Sequence, residues 1–340
     1  MKNIQKKNSP YLSIIVSGRN DNHGGKKVFR EKHETFINYY KKYLDSSNDY
    51  LEVIIVDYNQ VKDEKTFFEQ FNWNNFENVK STVISRYEHN VITCNSKYPF
   101  HGNVAFNEAI KIATGEFVVY LSIETRLSLR LMRYLRKRKL KKDYFYRTDL
   151  FYFPEKYFSK PLVQFLWARF TFRKVAKRHS SAINTTLDIN LKSFINRFVG
   201  IPKSFQNFNE VSKNTFFLTK YWPEFPFSGK ELNTWLVHSG LHTNASGDFI
   251  LASRENWIKI GGFSEDPTWQ LHNDSMALGE FCKGGMKQVL FRWPLVAFQT
   301  LHERSGWTGM NQLSWEEWCE LFVQVINGKI DVVKRRIKNV

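Results

Sequence analysis

Four groups of polar residues draw attention in this 340-residue chain, each placed beside a short apolar run. Arg19, Asn20 and Asp21 come just after YLSIIVS, and Asp57 closes LEVIIVD. Ser122, Ile123, Glu124 and Thr125 end the run EFVVYLS, and Asp248, Asp274 and His302 lie in the last third. Carboxylates and an imidazole can carry a proton or hold a cation, while amides and a guanidinium can hydrogen-bond a polar ligand. Plainer roles are open as well. Asn20 and Asp21 suit a turn, Asp57 can cap the turn that follows it, and Asp274 can cap a helix beginning near Ser275.

The apolar runs must position these groups. Residues 11–17 and 51–57 are rich in Ile and Val and predict buried parallel strands, with a crossover helix over 26–44 between them. A third strand is expected over 80–85, a helix over 104–113 and a fourth strand over 116–122. This alternation predicts an α/β domain with a doubly wound sheet, whose ligands bind beyond the carboxyl ends of the strands. Further strands are expected at 144–147, 249–252 and 288–291, and helices at 255–260, 275–283 and 315–326. Residues 151–178 are aromatic and basic with a weak helical period, and 200–230 turn to Pro, Asn, Ser and Phe, the composition of loops.

Composition narrows the classes. Aromatic residues at 16% with 17 Gly and 9 Pro exclude a disordered or collagen-like chain. Cys94, Cys282 and Cys319 make no CxxC pair, which argues against a disulfide framework or a cysteine zinc site and for a reducing compartment. No stretch reaches the roughly 18 apolar residues of a spanning helix, so a cytoplasmic protein is expected. The net charge is +17, and nine basic residues fall within 126–142 without an acid. Leu127, Leu131, Tyr134 and Leu135 recur there at helical spacing, predicting an amphipathic basic helix. It would meet nucleic acid, an anionic membrane surface, a phosphorylated substrate or solvent.

The segments SIIVSGRNDN, LEVIIVD, NVAFNEAIKIATGEFVVYLSIE and GDFILASRENWIKIGGFSE, with HND downstream, together resemble a family-two glycosyltransferase of the GT-A fold. The resemblance covers about 10–125 and 245–305, and 247–285 is also similar to the carboxyl-terminal half of galactosyltransferase-type enzymes. It implies a GT-A-like mixed sheet flanked by helices, with a helical, aromatic-rich insertion. The implied division is a nucleotide-sugar-binding half (1–125), a basic helix and insertion (126–240), an acceptor and catalytic half (241–310), and a C-terminal helix with a basic tail (311–340).

The same resemblance implies site roles. Asp57 would accept an N–H of the nucleotide base, with Asn20 and Asp21 bordering the nucleoside. Asn103 and Asn107 would contact the donor, although Asn103 can equally cap its helix, and Asp248 would serve the sugar or acceptor. Glu124 stands at the last acid of the family's DxD motif, and Ser122 replaces the first acid. Glu124 and His302 would hold Mn²⁺ or Mg²⁺ against the donor diphosphate. Asp274 would deprotonate the acceptor hydroxyl in an inverting transfer from a UDP-sugar to a glycan or lipid-linked acceptor. Two other readings are open: a non-catalytic glycan-binding or scaffolding relative of the same fold, and a basic nucleic-acid-binding protein. The last lacks a helix-turn-helix, zinc-finger or RRM signature.

Overall fold

The computed structural model describes residues 10–22, 26–44, 50–93, 99–148, 150–152, 215–218, 236–237, 241–242, 249–265, 273–291 and 295–299, with residues 321, 324, 325 and 329. In chain order the strands are β1 (Leu12–Gly18), β2 (Leu51–Tyr58), β3 (Val79–Ile84), β4 (Phe117–Tyr120), β5 (Thr125–Leu127), β6 (Tyr144–Thr148), β7 (Leu150–Tyr152), β8 (Thr215–Leu218), β9 (Leu236–Val237), β10 (Leu241–His242), β11 (Ile250–Ser253), β12 (Lys287–Phe291) and β13 (Ala297–Gln299). The helices are α1 (Lys26–Tyr40), α2 (Phe67–Gln70), α3 (Arg86–Thr93), α4 (Gly102–Ile112), α5 (Leu129–Arg136), α6 (Arg254–Lys259) and α7 (Asn273–Lys283).

The principal sheet has eight strands in the order β3-β2-β1-β4-β11-β6-β12-β8. The first four run parallel, and β11 enters antiparallel between β4 and β6. It is therefore a mixed sheet, and the period of two along its strands divides the apolar side chains between two cores. On one face Leu12, Ile14, Val16, Val53, Ile55 and Val119 pack with Phe29, Phe36 and Tyr40 of α1 and with Leu131 and Leu135 of α5. On the other, Ile15, Ile54, Val56 and Val118 pack with Val104, Phe106 and Ile110 of α4, Trp257 of α6 and Met276 and Phe281 of α7. Strands buried on both faces are what uninterrupted Ile/Val runs specify, and the expected mixed α/β sheet flanked by helices is the fold observed.

One difference concerns the basic segment. The expected helix over 126–142 is confined to α5, capped by the Ser128 hydroxyl accepting from Leu131 N at 3.1 Å. Residues 125–127 are instead strand β5, paired antiparallel with β13. Arg126 is thereby buried, with its guanidinium 4.9 Å from the centre of the Phe36 ring. The expected elements at 151–178 and 315–326 fall largely outside the described residues, and within 200–230, expected as loops, residues 215–218 form strand β8 instead, held by its pairing with β12.

The amino edge of the parallel strands is closed by a buried carboxylate. Glu52, on β2, accepts hydrogen bonds from Ser13 Oγ, from Thr114 N and Oγ1 at 2.6 and 2.8 Å, and from Gly115 N at 2.9 Å, and it pairs with Lys80 Nζ at 2.8 Å. Burial alone would raise its carboxyl, but the bonds from Lys80, Ser13 and Thr114 outweigh it and hold the group below the usual range.

Candidate active site

The register that sets Gly18 beside Asp57 brings the ends of β1 and β2 level, and Leu121 N donates to Ile15 O as the chain leaves β4. The residues after these three strands therefore share one edge. The direction of α7 adds a fourth group. Strand β12 is parallel to β6, β6 is antiparallel to β11, and β11 is antiparallel to β4, so β12 runs with β4. Only residues 284–286 join α7 to β12, so the helix runs the other way and its first turn lies at the carboxyl edge. Asp274 sits in that first turn, where the positive end of a helix favours a carboxylate. It is the second residue of the helix, so it lies inside the turn that it was read as able to cap.

Asp57 is 2% exposed and its two oxygens differ. Oδ2 accepts at 3.1 Å from the N–H of Phe67, the first residue of α2, ten positions on and beyond the turn that follows Asp57. Oδ1 is buried and has no hydrogen-bond partner. Burial pushes the carboxyl up from 3.8 to about 6, against the Phe67 N–H that Oδ2 accepts, the neighbouring Asn20 N–H, which does not reach hydrogen-bond geometry, and the Arg19 guanidinium, all of which favour the ionised form. An unpartnered buried acceptor is costly unless a ligand supplies the donor.

The other residues of this edge hold its shape. Asn20, 2% exposed, donates from Nδ2 to Lys65 O and to Gln70 Oε1 at 2.6 Å, tying β1 to the segment that carries α2. Thr66 and Glu69 close a capping box at the start of that helix. Asp21 is paired with Arg19 at 3.0 Å, and Arg19 Nε donates to Asn59 O at 3.0 Å. Asn59 in turn has φ +50° and donates to Pro99 O at 2.8 Å.

Helix α4 starts at the same edge, with His101 as its N-cap residue and Asn103 half-buried in its first turn. Asn107 is fully buried and its amide is committed to another part of the chain. It donates to Phe263 O and Glu265 Oε1 and accepts from Phe263 N, each at 2.9 Å. That clamp holds α4 to the turn after α6, where Gly261 and Gly262 both have φ +72°. The paired glycines are required there because side-chain-bearing residues rarely adopt that conformation. Asn107 thus positions the turn, and Trp257 packs, donating Nε1–H to Val118 O at 3.2 Å. Asp248 and His302 lie outside the described residues.

Glu124 meets an ammonium. Lys32, on α1, donates to Glu124 Oε1, and the two side chains are 17% and 13% exposed. Arg126 braces both partners, donating from Nη1 to Ile123 O at 2.6 Å and to Thr125 O at 3.1 Å, and from Nη2 to Lys32 O at 3.2 Å. Ser122 shares a hydrogen bond of 2.8 Å with Thr125 Oγ1. The resemblance implies a divalent cation at this point, and the described donors do not fit one. Among the described residues Glu124 is the carboxylate of the 121–125 turn, it is engaged by a lysine, and no cluster of three His, Cys, Asp or Glu side chains occurs.

Five residues of this region were not expected here from the sequence. Lys32 was one of several lysines on an expected helix. Arg126 was read as helix surface. Tyr58, His89 and His101 also gather at the end of β2, with Tyr58 Oη and His89 Nδ1 3.1 Å apart and the two imidazole rings 5.6 Å apart. Positions 58, 89 and 101 show no local spacing that could have signalled this.

No protein-family model matches the chain, and no curated protein sequence matches it. Solved structures do. A mannosyltransferase from Pyrobaculum calidifontis, in complex with GDP-Man and Mn²⁺, is 13% identical with a TM-score of 0.44 over 88% of this chain and 59% of its own. Glucosyl-3-phosphoglycerate synthase from Mycobacterium tuberculosis, in complex with Mn²⁺, UDP and phosphoglyceric acid, is 10% identical with a TM-score of 0.43 over 93% and 76%. S. aureus TarS 1–349 in complex with UDP is 12% identical with a TM-score of 0.44 over 94% and 64%. The chain thus spans less than two thirds of the length of the first and third of these. Likeness at this level establishes no shared activity.

Proposed function

We propose that the chain is a glycosyltransferase that binds a nucleotide sugar at the carboxyl edge of its parallel strands. The observation that carries this reading is Asp57 Oδ1, a buried acceptor with no partner, at the end of β2. A ring N–H of a nucleotide base supplies the missing donor, and uracil is the base we favour, which makes the donor a UDP-sugar. The resemblance of the 247–285 segment suggests a galactose-type sugar. Residues 1–125 would form the donor half and 241–310 the acceptor half.

The chemistry assigned to this edge is direct displacement. The acceptor hydroxyl, on a glycan or a lipid-linked sugar, attacks the anomeric carbon while its proton passes to the Asp274 carboxylate. The bond from that carbon to the diphosphate oxygen breaks, and the configuration inverts. Arg130, Arg133, Arg136 and the exposed basic residues up to Lys142 support an anionic carrier for the acceptor, such as a lipid phosphate. No helix among the described residues is long and apolar enough to cross a membrane.

A thermal-shift panel of nucleoside diphosphates and nucleotide sugars tests the reading, because a ligand of the folded state raises the melting temperature with its excess over Kd. One base should raise it in the wild-type chain and not in Asp57→Ala. A guanine nucleotide giving the shift would keep the transferase and change the donor. Absence of any shift in the folded protein would remove the reading.

A further inference from the structure

We infer that the Lys32 ammonium is the cation that receives the donor diphosphate at Glu124, so that donor binding does not depend on a divalent metal. This rests on the nucleotide-sugar reading above and extends it to residues that the sequence did not single out. Three observations meet at one place. Lys32 donates to Glu124, and both are mostly withdrawn from solvent, where charges act on each other more strongly than in water. An ammonium has three N–H donors, and Glu124 Oε1 takes one, so the others can turn to phosphate oxygens. Arg126 binds carbonyls on both sides of the pair, at Ile123 and at Lys32 itself, and so fixes the helix that presents the ammonium against the turn that presents the carboxylate.

Charge supports the assignment. Position 122 is a serine whose hydroxyl is shared with Thr125, so Glu124 is the one carboxylate that the 121–125 turn presents. With Lys32 in place the pair is neutral, and a divalent ion would have to displace the lysine and then lie beside it. A diphosphate needs no displacement. It adds acceptors to an ammonium already held at the edge where Asp57 would hold the base, and Glu124 keeps that ammonium oriented.

The test is calorimetric binding of UDP and of uridine to the full chain, in EDTA and in Mn²⁺, with wild type, Lys32→Ala and Lys32→Arg. Wild type should bind UDP equally well in the two buffers. Lys32→Ala should lose about tenfold or more of its UDP affinity in EDTA while binding uridine unchanged, and Lys32→Arg should recover part of the loss. Unchanged uridine binding shows that the variant is folded and its base site intact. UDP binding to wild type that vanishes in EDTA and returns with Mn²⁺ would overturn the inference, as would Lys32→Ala binding UDP in EDTA like wild type. Failure of uridine and UDP alike to bind the folded wild type in either buffer would instead overturn the nucleotide reading on which the inference stands.

Discussion

Replacing Asp57 by Asn separates what the fold needs at this position from what a ligand needs. Asn can still accept from Phe67 N through its carbonyl oxygen, but it cannot ionise. In the folded chain the Asp57 carboxyl lies at about 6 against 3.8 in the open chain. The folded-state value is the higher, so the contribution of this group is fully present below the unfolded pKa and is lost as pH rises through about 6. A gap of about two units at ~1.4 kcal/mol each amounts to roughly 3 kcal/mol of differential stability. Asn carries no such pH dependence. The stability of Asp57→Asn minus that of wild type should therefore grow by about 3 kcal/mol between about pH 3.5 and pH 7.5, whatever fixed packing change the substitution brings. Urea unfolding of both proteins across this range measures it, and Glu52 and the other carboxylates cancel in the difference. A difference that stays flat with pH would mean that Asp57 is not a desolvated acid, and the case for an acceptor waiting for a base would go with it.

Other expectations follow from the same geometry. Glu52→Gln, which leaves Lys80 and the Thr114 donors facing a neutral amide, should cost about 2–4 kcal/mol in urea unfolding near neutral pH. Because the Glu52 carboxyl is held below its usual value, the wild-type advantage should shrink as pH falls below the unfolded pKa of 4.5 and through the lower folded value. Gly115→Ala should destabilise the chain by about 1–3 kcal/mol, read as a lowered urea midpoint, since a Cβ there would lie 2.4 Å from Ser13 Oγ and 2.7 Å from Ser13 N. Asp274→Asn should lower turnover by about 10²–10⁴-fold while leaving the Kd for UDP within a factor of about two, measured by product formation and by calorimetry. A parallel loss of UDP affinity would make Asp274 a donor-site residue instead of a base.

Much of this architecture is written locally in the chain. The Ile/Val runs at 11–17 and 51–57 became β1 and β2 within a residue or so, because a strand buried on both faces needs nothing beyond its own apolar length. The helix before β4 and the glycine turn after α6 were legible for similar reasons. What could not be read was decided by partners far along the chain. Strands β5, β7 and β13 have three residues each and exist through pairing with one another. Arg126 carries a charge that suggests solvent, yet it is buried because the Phe36 ring and carbonyls from three residues surround its guanidinium.

The candidate site shows the same division. Asp57 and Asp274 stand where the sequence places the end of one element and the start of another, and their proposed roles come from the resemblance. Asn20 drew notice at a strand end and Asn107 through the resemblance, in the helix before β4, and the amides of both hold distant parts of the chain together, which only their acceptors reveal. Lys32 and Glu124 are 92 positions apart, and neither residue alone announces the other.

The most direct measurement of the central claim is hydrogen–deuterium exchange of the full chain with and without UDP. Exchange should slow in the segments at the carboxyl edge, 18–22, 57–67 and 121–125, and stay unchanged around Thr114 and Gly115 at the amino edge. Exchange that UDP leaves unaltered throughout, or that slows at the amino edge instead, would contradict it.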